Sequence, residues 1–133
     1  MCGIAGIFDT EGRFPERDLL PTVEKMLESI SHRGPDGLGT WKENSGSLVL
    51  GNVRLSVLDL SNSGSQPMSS KCGRWQIVYN GELYNSKEIC KKLNSETRIV
   101  FRGHSDTEVL VESIAHWGVP ETLKKIEGMF AFA

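Results

Sequence analysis

Met1-Cys2-Gly3-Ile4-Ala5-Gly6-Ile7-Phe8 opens the chain, with small residues alternating with branched or aromatic ones until the cluster Asp9-Thr10-Glu11-Gly12. That alternation predicts a strand over residues 2–9, followed by a turn. Outward from it, Leu19, Leu20, Val23, Met26, Leu27 and Ile30 recur at helical steps, so an amphipathic helix is expected over 16–31, with Pro21 tolerable only near its first turn. His32-Arg33-Gly34-Pro35-Asp36-Gly37-Leu38-Gly39 holds three glycines and a proline, and reads as a loop. Residues 47–51 and 53–60 read as strands, either a hairpin or one bent strand. The stretch 61–73, rich in Ser, Gly and Pro, reads as a long surface loop. A short strand over 75–79 runs into Asn80-Gly81, a dipeptide typical of hairpin turns. Helices are expected over 85–93 with Asn85 as N-cap, from the Ser105-Asp106-Thr107-Glu108 capping box to Trp117, and over 121–126. Residues 129–133 alternate large and small like a strand. Strands mixed with helices along one chain imply a layered α+β or α/β domain.

The 133 residues match about one domain, long enough to bury a core without disulfide or metal staples. Fifteen Lys and Arg against 17 Asp and Glu give a net charge of −2, which lacks the basic excess of a nucleic-acid module. No apolar run approaches the roughly 18 residues of a membrane helix. The amino terminus has no basic n-region and reaches Asp9 too soon for a signal peptide, so a cytoplasmic location is expected. Cys2, Cys72 and Cys90 are widely spaced with no Cys-x-x-Cys, which argues against a disulfide framework and a zinc site. Cys72 and Cys90 read as small core or surface residues.

Cys2 stands apart because of its position. Removal of Met1 would leave a thiol and a free α-amine on one residue, and an α-amine titrates near 7.7–8.0. Part of it is then an unprotonated base beside a thiol, which is what such a nucleophile requires. Arg54 lies among Val53, Leu55, Val57 and Leu58, either on an outer face or as a bidentate clamp on a carboxylate. Asn80-Gly81 is either a turn or a side-chain amide and backbone N–H converging on an oxyanion. Asp106 either complements a helix dipole or receives a ligand ammonium group. His32 is a structural histidine or a general base. The glycines at 34, 37 and 39 have the wrong order for a dinucleotide fingerprint, and no phosphate loop occurs.

Six stretches occur in order: Met1–Phe8; His32-Arg33-Gly34-Pro35-Asp36-Gly37; Arg54-Leu55-Ser56-Val57-Leu58-Asp59-Leu60; Asn80-Gly81-Glu82-Leu83-Tyr84-Asn85; Ser105–Leu110; and Glu127–Ala133. Together they resemble the N-terminal glutaminase domain of glutamine-hydrolysing asparagine synthetase, a class II, N-terminal-nucleophile (Ntn-hydrolase) glutamine amidotransferase. The resemblance covers essentially the whole chain, 1–133. It implies a four-layer α/β/β/α sandwich, incomplete at its C-terminal end, within the α+β class. It further implies that Cys2, freed of Met1, attacks the side-chain amide of glutamine while its own amine moves the proton. Asn80 and Gly81 would hold the oxyanion and Arg54 the α-carboxylate, while Glu82 and Asp106 would take the α-ammonium. Arg54, Leu55, Ser56, Val57 and Leu58 would line the pocket. Two departures, Asn52-Val53 and Ser65, fall where relatives often carry basic residues or His, and none of the implied catalytic positions is altered.

Glutamine is the implied ligand, with neither nucleic acid nor membrane as partner, and a homodimer is compatible with the resemblance. No cofactor or metal is expected on these residues. ATP and Mg would belong to a synthetase domain, which in relatives of this kind follows the glutaminase domain and receives the ammonia for asparagine synthesis. Two alternatives to that function stay open. One is a non-catalytic glutamine-binding or regulatory fragment, and the other an amidotransferase whose acceptor is not aspartate.

With Met1 attached, the Cys2 nitrogen is an amide and cannot act as a base. A preparation retaining Met1 is therefore expected to release no ammonia from glutamine, and aminopeptidase trimming, followed by mass spectrometry of the amino terminus, to restore release. Full activity with Met1 intact would exclude the α-amine as base.

Overall fold

The computed structural model describes residues 2–14, 18–55 and 62–133. Three antiparallel strands form the first sheet, with β3 (Leu48–Arg54) between β1 (Gly3–Phe8) and β2 (Gly37–Lys42). The register runs from Gly3↔Val53 to Phe8↔Leu48 on one side and from Gly37↔Arg54 to Lys42↔Val49 on the other. Helix α1 (Leu20–Ser29) lays Val23 and Leu27, both fully buried, against Val49 and Val53. The apolar positions at three- and four-residue spacing account for that buried stripe. The helix starts at Leu20, later than the apolar pattern suggests, because Pro21 is accommodated in the first turn and the Asp18 carboxylate accepts the Leu20 N–H at 3.1 Å.

The second half of the chain builds two further antiparallel pairs: β4 (Met68–Ser69) with β5 (Gln76–Ile77), and β6 (Tyr79–Leu83) with β7 (Gly128–Phe132). Helices α2 (Ser86–Thr97) and α3 (Asp106–Trp117) pack together, with a short α4 (Val119–Leu123) behind them. Their core joins Ile89, Leu93, Leu110 and Ile114 to Tyr79 and Leu83 of β6, separate from the core under α1. Strand β1 touches β6, so the two halves meet through their sheets. The chain is an α+β arrangement, and among the described residues no helix is long and apolar enough to cross a membrane.

Several elements differ from the sequence expectation. The expected loop over 32–39 opens in a short 3-10 turn at Ser31–Arg33 and then enters β2 at Gly37, where pairing to β3 overrides the loop composition. Residues 48–54 make one continuous strand, and the expected continuation over 56–60 lies outside the described residues. Asn80-Gly81 is no turn: both sit mid-strand in β6, opposite Ala131 and Phe130. A Cβ at Gly81 would collide with the Met129 carbonyl and the Phe130 backbone, so this glycine serves the close approach of two strands. The expected strand over 75–79 divides into β5 and β6, and Val78 pairs with Ala133 through two backbone hydrogen bonds of 2.9 and 3.0 Å. Part of the expected surface loop is buried, at Met68 and Ser70.

Asn85 occupies the N-cap position of α2 without capping it. Its amide instead donates to Lys125 O and accepts from Glu127 N, tying the helix start to the approach of β7. Ser105 does cap α3, accepting from Glu108 N at 3.3 Å, and the helix stops at Gly118 as expected. The third helix begins at Val119, earlier than expected, with Pro120 in its first turn.

Leu27→Ala removes a fully buried side chain from the smaller core and is expected to cost about 2–5 kcal/mol. Urea unfolding with an unchanged m-value measures that loss; a cost near zero would show that α1 is not clamped to the sheet through Leu27.

Candidate functional site

The first sheet ends in a cysteine. Cys2 lies one residue before the Gly3↔Val53 pair, and its half-buried thiol is seated on the backbone just beyond β3. Leu55 N–H donates to Cys2 Sγ at 3.4 Å, and the thiol donates to Leu55 O at 3.6 Å. From the other side, Arg33 Nε donates to the Cys2 carbonyl at 3.2 Å. Asn52, almost fully buried in β3, donates its amide to Gly3 O at 3.3 Å. The loop that carries Arg33 can lie this close because a Cβ at Gly34 would run into the Val53 carbonyl and the Arg54 nitrogen. Pro35 forms a parallel bridge with Arg54, and Asp36 N–H donates to Arg54 O at 2.9 Å. These backbone contacts fix Cys2 and half-buried Arg54 at one end of the sheet.

Strand β6 supplies the second wall. Val78 and Ala133 exchange two backbone hydrogen bonds, so by antiparallel alternation the N–H groups of Asn80 and Glu82 point toward β7. Those of Tyr79, Gly81 and Leu83 point to the outer edge. Tyr79 N–H donates to Gln66 Oε1 at 2.6 Å, and Leu83 N–H donates to Asp106 Oδ2 at 3.0 Å. Between them, the Gly81 N–H has no acceptor among the described residues. An open amide flanked by two occupied ones, with the half-buried Asn80 beside it, offers donors to an incoming oxygen.

Asp106 stands at the first turn of α3, 7% exposed, where the helix N-terminus favours its charge. Its Oδ2 accepts from Leu83 N–H and from the Tyr79 hydroxyl at 2.9 Å, whereas Oδ1 has no hydrogen bond among the described residues. One oxygen is held from within, and the other can accept a further donor. Burial pushes the Tyr79 phenol well above its ordinary value. The negative charge of Asp106 and its hydrogen bond push it the same way, followed by the charges of Glu82 and Cys2. The phenol therefore keeps its proton and donates a hydrogen bond to Asp106.

Of the residues singled out in the sequence, Cys2, Arg54 and Leu55 meet at the end of the first sheet, and Asn80, Gly81, Glu82 and Asp106 on and beside β6. Ser56, Val57 and Leu58, like Met1, lie outside the described residues. Glu82 is exposed, and so is His32, with no hydrogen bond to Cys2. Cys72 is exposed in the turn after β4 and Cys90 is half-buried in α2, neither with a part in these contacts. Tyr79, Gln66 and Arg33 were missed as contributors to the site. Arg33 belonged to a quoted motif and Tyr79 adjoins Asn80, but nothing local marks Gln66. A cleft of about 790 Å³ opens elsewhere, on the sheet face of Ile4, Phe8, Trp41 and Leu50 against Trp75 and Val78, and none of the site residues lines it.

The glutamine amidotransferase domain family matches the chain over residues 1–133. The amidase chry2 of Gibberella zeae is 36% identical over 99% of the chain and 20% of its own length. Asparagine synthetase [glutamine-hydrolyzing] 3 of Bacillus subtilis is 36% identical over 100% of the chain and 21% of its own length. The putative asparagine synthetase [glutamine-hydrolyzing] 2 of Methanocaldococcus jannaschii is 37% identical, over 99% and 27% respectively. The chain thus spans about a fifth to a quarter of the length of these curated relatives.

The approach to Asp106 is held by Glu108, whose buried carboxylate accepts from Arg102 N–H and Nε–H and from Gly103 N–H, at 2.8 to 3.0 Å. Glu108→Ala strands those donors and is expected to cost on the order of 2 kcal/mol in urea unfolding. An unchanged midpoint would mean that water replaces the carboxylate at no cost.

Proposed function

Because the chain belongs to the glutamine amidotransferase domain family, we propose that it hydrolyses the side-chain amide of glutamine through Cys2. The observation that carries this reading is the edge of β6, where the Gly81 N–H alone lacks an acceptor among the described residues, between amides already taken by Gln66 and Asp106. With Met1 removed, the Cys2 thiol attacks the amide carbon of glutamine, and its proton passes to the α-amine of the same residue. The negative charge that develops on the former carbonyl oxygen is met by the Gly81 N–H and the Asn80 side-chain amide. The α-amine then protonates the departing nitrogen, the C–N bond breaks, and ammonia leaves behind a thioester on Cys2. Water attacks the thioester by the same route, releasing glutamate and restoring the thiol.

In this reading Arg54 grips the α-carboxylate, for which its planar fork is suited. Asp106, through its open Oδ1, and Glu82 receive the α-ammonium. The segment from Leu55 through Ser56, Val57 and Leu58 lines the pocket. The fold implied is a four-layer α/β/β/α sandwich, with α1 on the outside of the first sheet and α2 and α3 outside the strands β4–β7. Two separate cores and the meeting of β1 with β6 support it.

Ammonia made here would serve an acceptor site outside these residues. Two of the relatives are named asparagine synthetases and another an amidase, so aspartate and other acceptors both suit this reading. ATP and Mg would be needed at that acceptor site, not at Cys2.

Cys2→Ser tests the proposal. A hydroxyl is a far weaker nucleophile than a thiol at neutral pH, so turnover of glutamine is expected to fall by about 100-fold or more while glutamine affinity stays largely intact. Ammonia release and equilibrium binding measure the two. Near-native turnover by the serine variant would remove Cys2 from the reaction.

A further inference from the structure

Four residues from three separate parts of the chain close a ring of hydrogen bonds behind the site. Gln66, in the segment leading into β4, accepts from Tyr79 N–H with Oε1 at 2.6 Å and donates from Nε2 to Thr107 Oγ1 at 3.2 Å. Tyr79, at the start of β6, donates its hydroxyl to Asp106 Oδ2 at 2.9 Å. Asp106 and Thr107 are consecutive in the first turn of α3, which closes the ring. Tyr79, Asp106 and Thr107 are all buried, so each hydrogen bond works in a medium where losing a partner is costly.

A carboxylate on a single-bond axis would otherwise turn freely between its rotamers. Here two donors from β6, the Tyr79 hydroxyl and the Leu83 N–H, converge on the same oxygen. Oδ1 is thereby left without a hydrogen bond among the described residues. The phenol keeps its proton because burial and the surrounding negative groups oppose its ionisation.

We propose that Tyr79 is a positioning residue for recognition of the α-ammonium group of glutamine: its hydroxyl holds Asp106 so that Oδ1 faces the substrate, and Gln66 holds Tyr79 in register. The inference rests on the assignment of Asp106 to the ammonium group made above. Tyr79 touches no substrate atom in this scheme. Its effect is to discriminate in favour of amino acids over otherwise identical carboxylic acid amides.

The test compares L-glutamine with glutaramate, which keeps the carboxylate and side-chain amide but lacks the α-ammonium group. Dissociation constants are measured by calorimetry in a Cys2→Ala background, where no turnover consumes the ligand. Tyr79→Phe is expected to weaken glutamine about tenfold and glutaramate less than about twofold, since only one of them uses the charge that the hydroxyl orients. Asp106→Asn should show the same selectivity. With Cys2 intact, Tyr79→Phe should raise KM by a similar factor and leave kcat within about twofold, a split that general loosening of the site would not give.

If Asp106→Asn is selective but Tyr79→Phe weakens both ligands equally, or neither, the role of Tyr79 is overturned and the assignment of Asp106 stands. If Asp106→Asn is not selective, the assignment itself fails and this inference with it. Should Tyr79→Phe not fold, as judged by circular dichroism, Gln66→Met takes its place. It removes the clamp on the Tyr79 backbone without altering the ring, and the same selective loss is expected, its absence overturning the proposal.

Discussion

The pairing of β1 with β3 is the constraint on which the remaining arrangement depends. Gly3 opposite Val53 leaves Cys2 at the last place where the ladder can hold it, with Leu55 N–H and O both turned to its sulfur. A slip of one residue would send every side chain of β1 to the opposite face. Ala5 and Ile7 would leave the core beneath α1. The burial of Val49, Val53, Val23 and Leu27 against that face therefore fixes the register, and the register fixes the thiol.

The site divides its work between backbone and side chain. Cys2 is held mostly by main-chain groups and by one arginine reaching its carbonyl. The edge of β6 is arranged differently, as a row of three amides of which two are engaged from within. Gly81 is exposed, so its N–H is open to water or to an incoming acceptor at little cost. The second oxygen of Asp106, a residue only 7% exposed, likewise has no hydrogen bond among the described residues. Both unsatisfied groups lie on or beside β6, next to the end of the sheet that carries Cys2.

Several parts of this arrangement were legible in the sequence. The opening strand, the amphipathic helix with Leu27, the serine cap of α3 and the closing strand each carry a local signal: period, cap or alternation. The position of Cys2 and the run Asn80-Gly81-Glu82 drew attention as sequence, and the structure brings Cys2 together with Leu55, and Asp106 with β6. Asn80-Gly81 also shows the limit of local reading, since a dipeptide suited to a tight turn instead lies mid-strand. The deciding contact is the carbonyl of Met129, nearly fifty positions away in the chain, which a side chain at Gly81 would strike.

What the sequence by itself determined is the helices, the opening and closing strands and the chemical inventory: a thiol at position 2, an arginine in a strand, a carboxylate opening a helix. These depend on residue type and spacing, which act over a few neighbours. Only the tertiary structure decided that β2 arises from a glycine-rich stretch, that Gln66 bridges Tyr79 to Thr107, and that Asp106 presents one oxygen and withholds the other. Those outcomes are contacts between groups far apart in the chain. Whether a polar atom is satisfied or left open depends on which strand edge or helix end arrives beside it, and no local pattern of residues encodes that arrival.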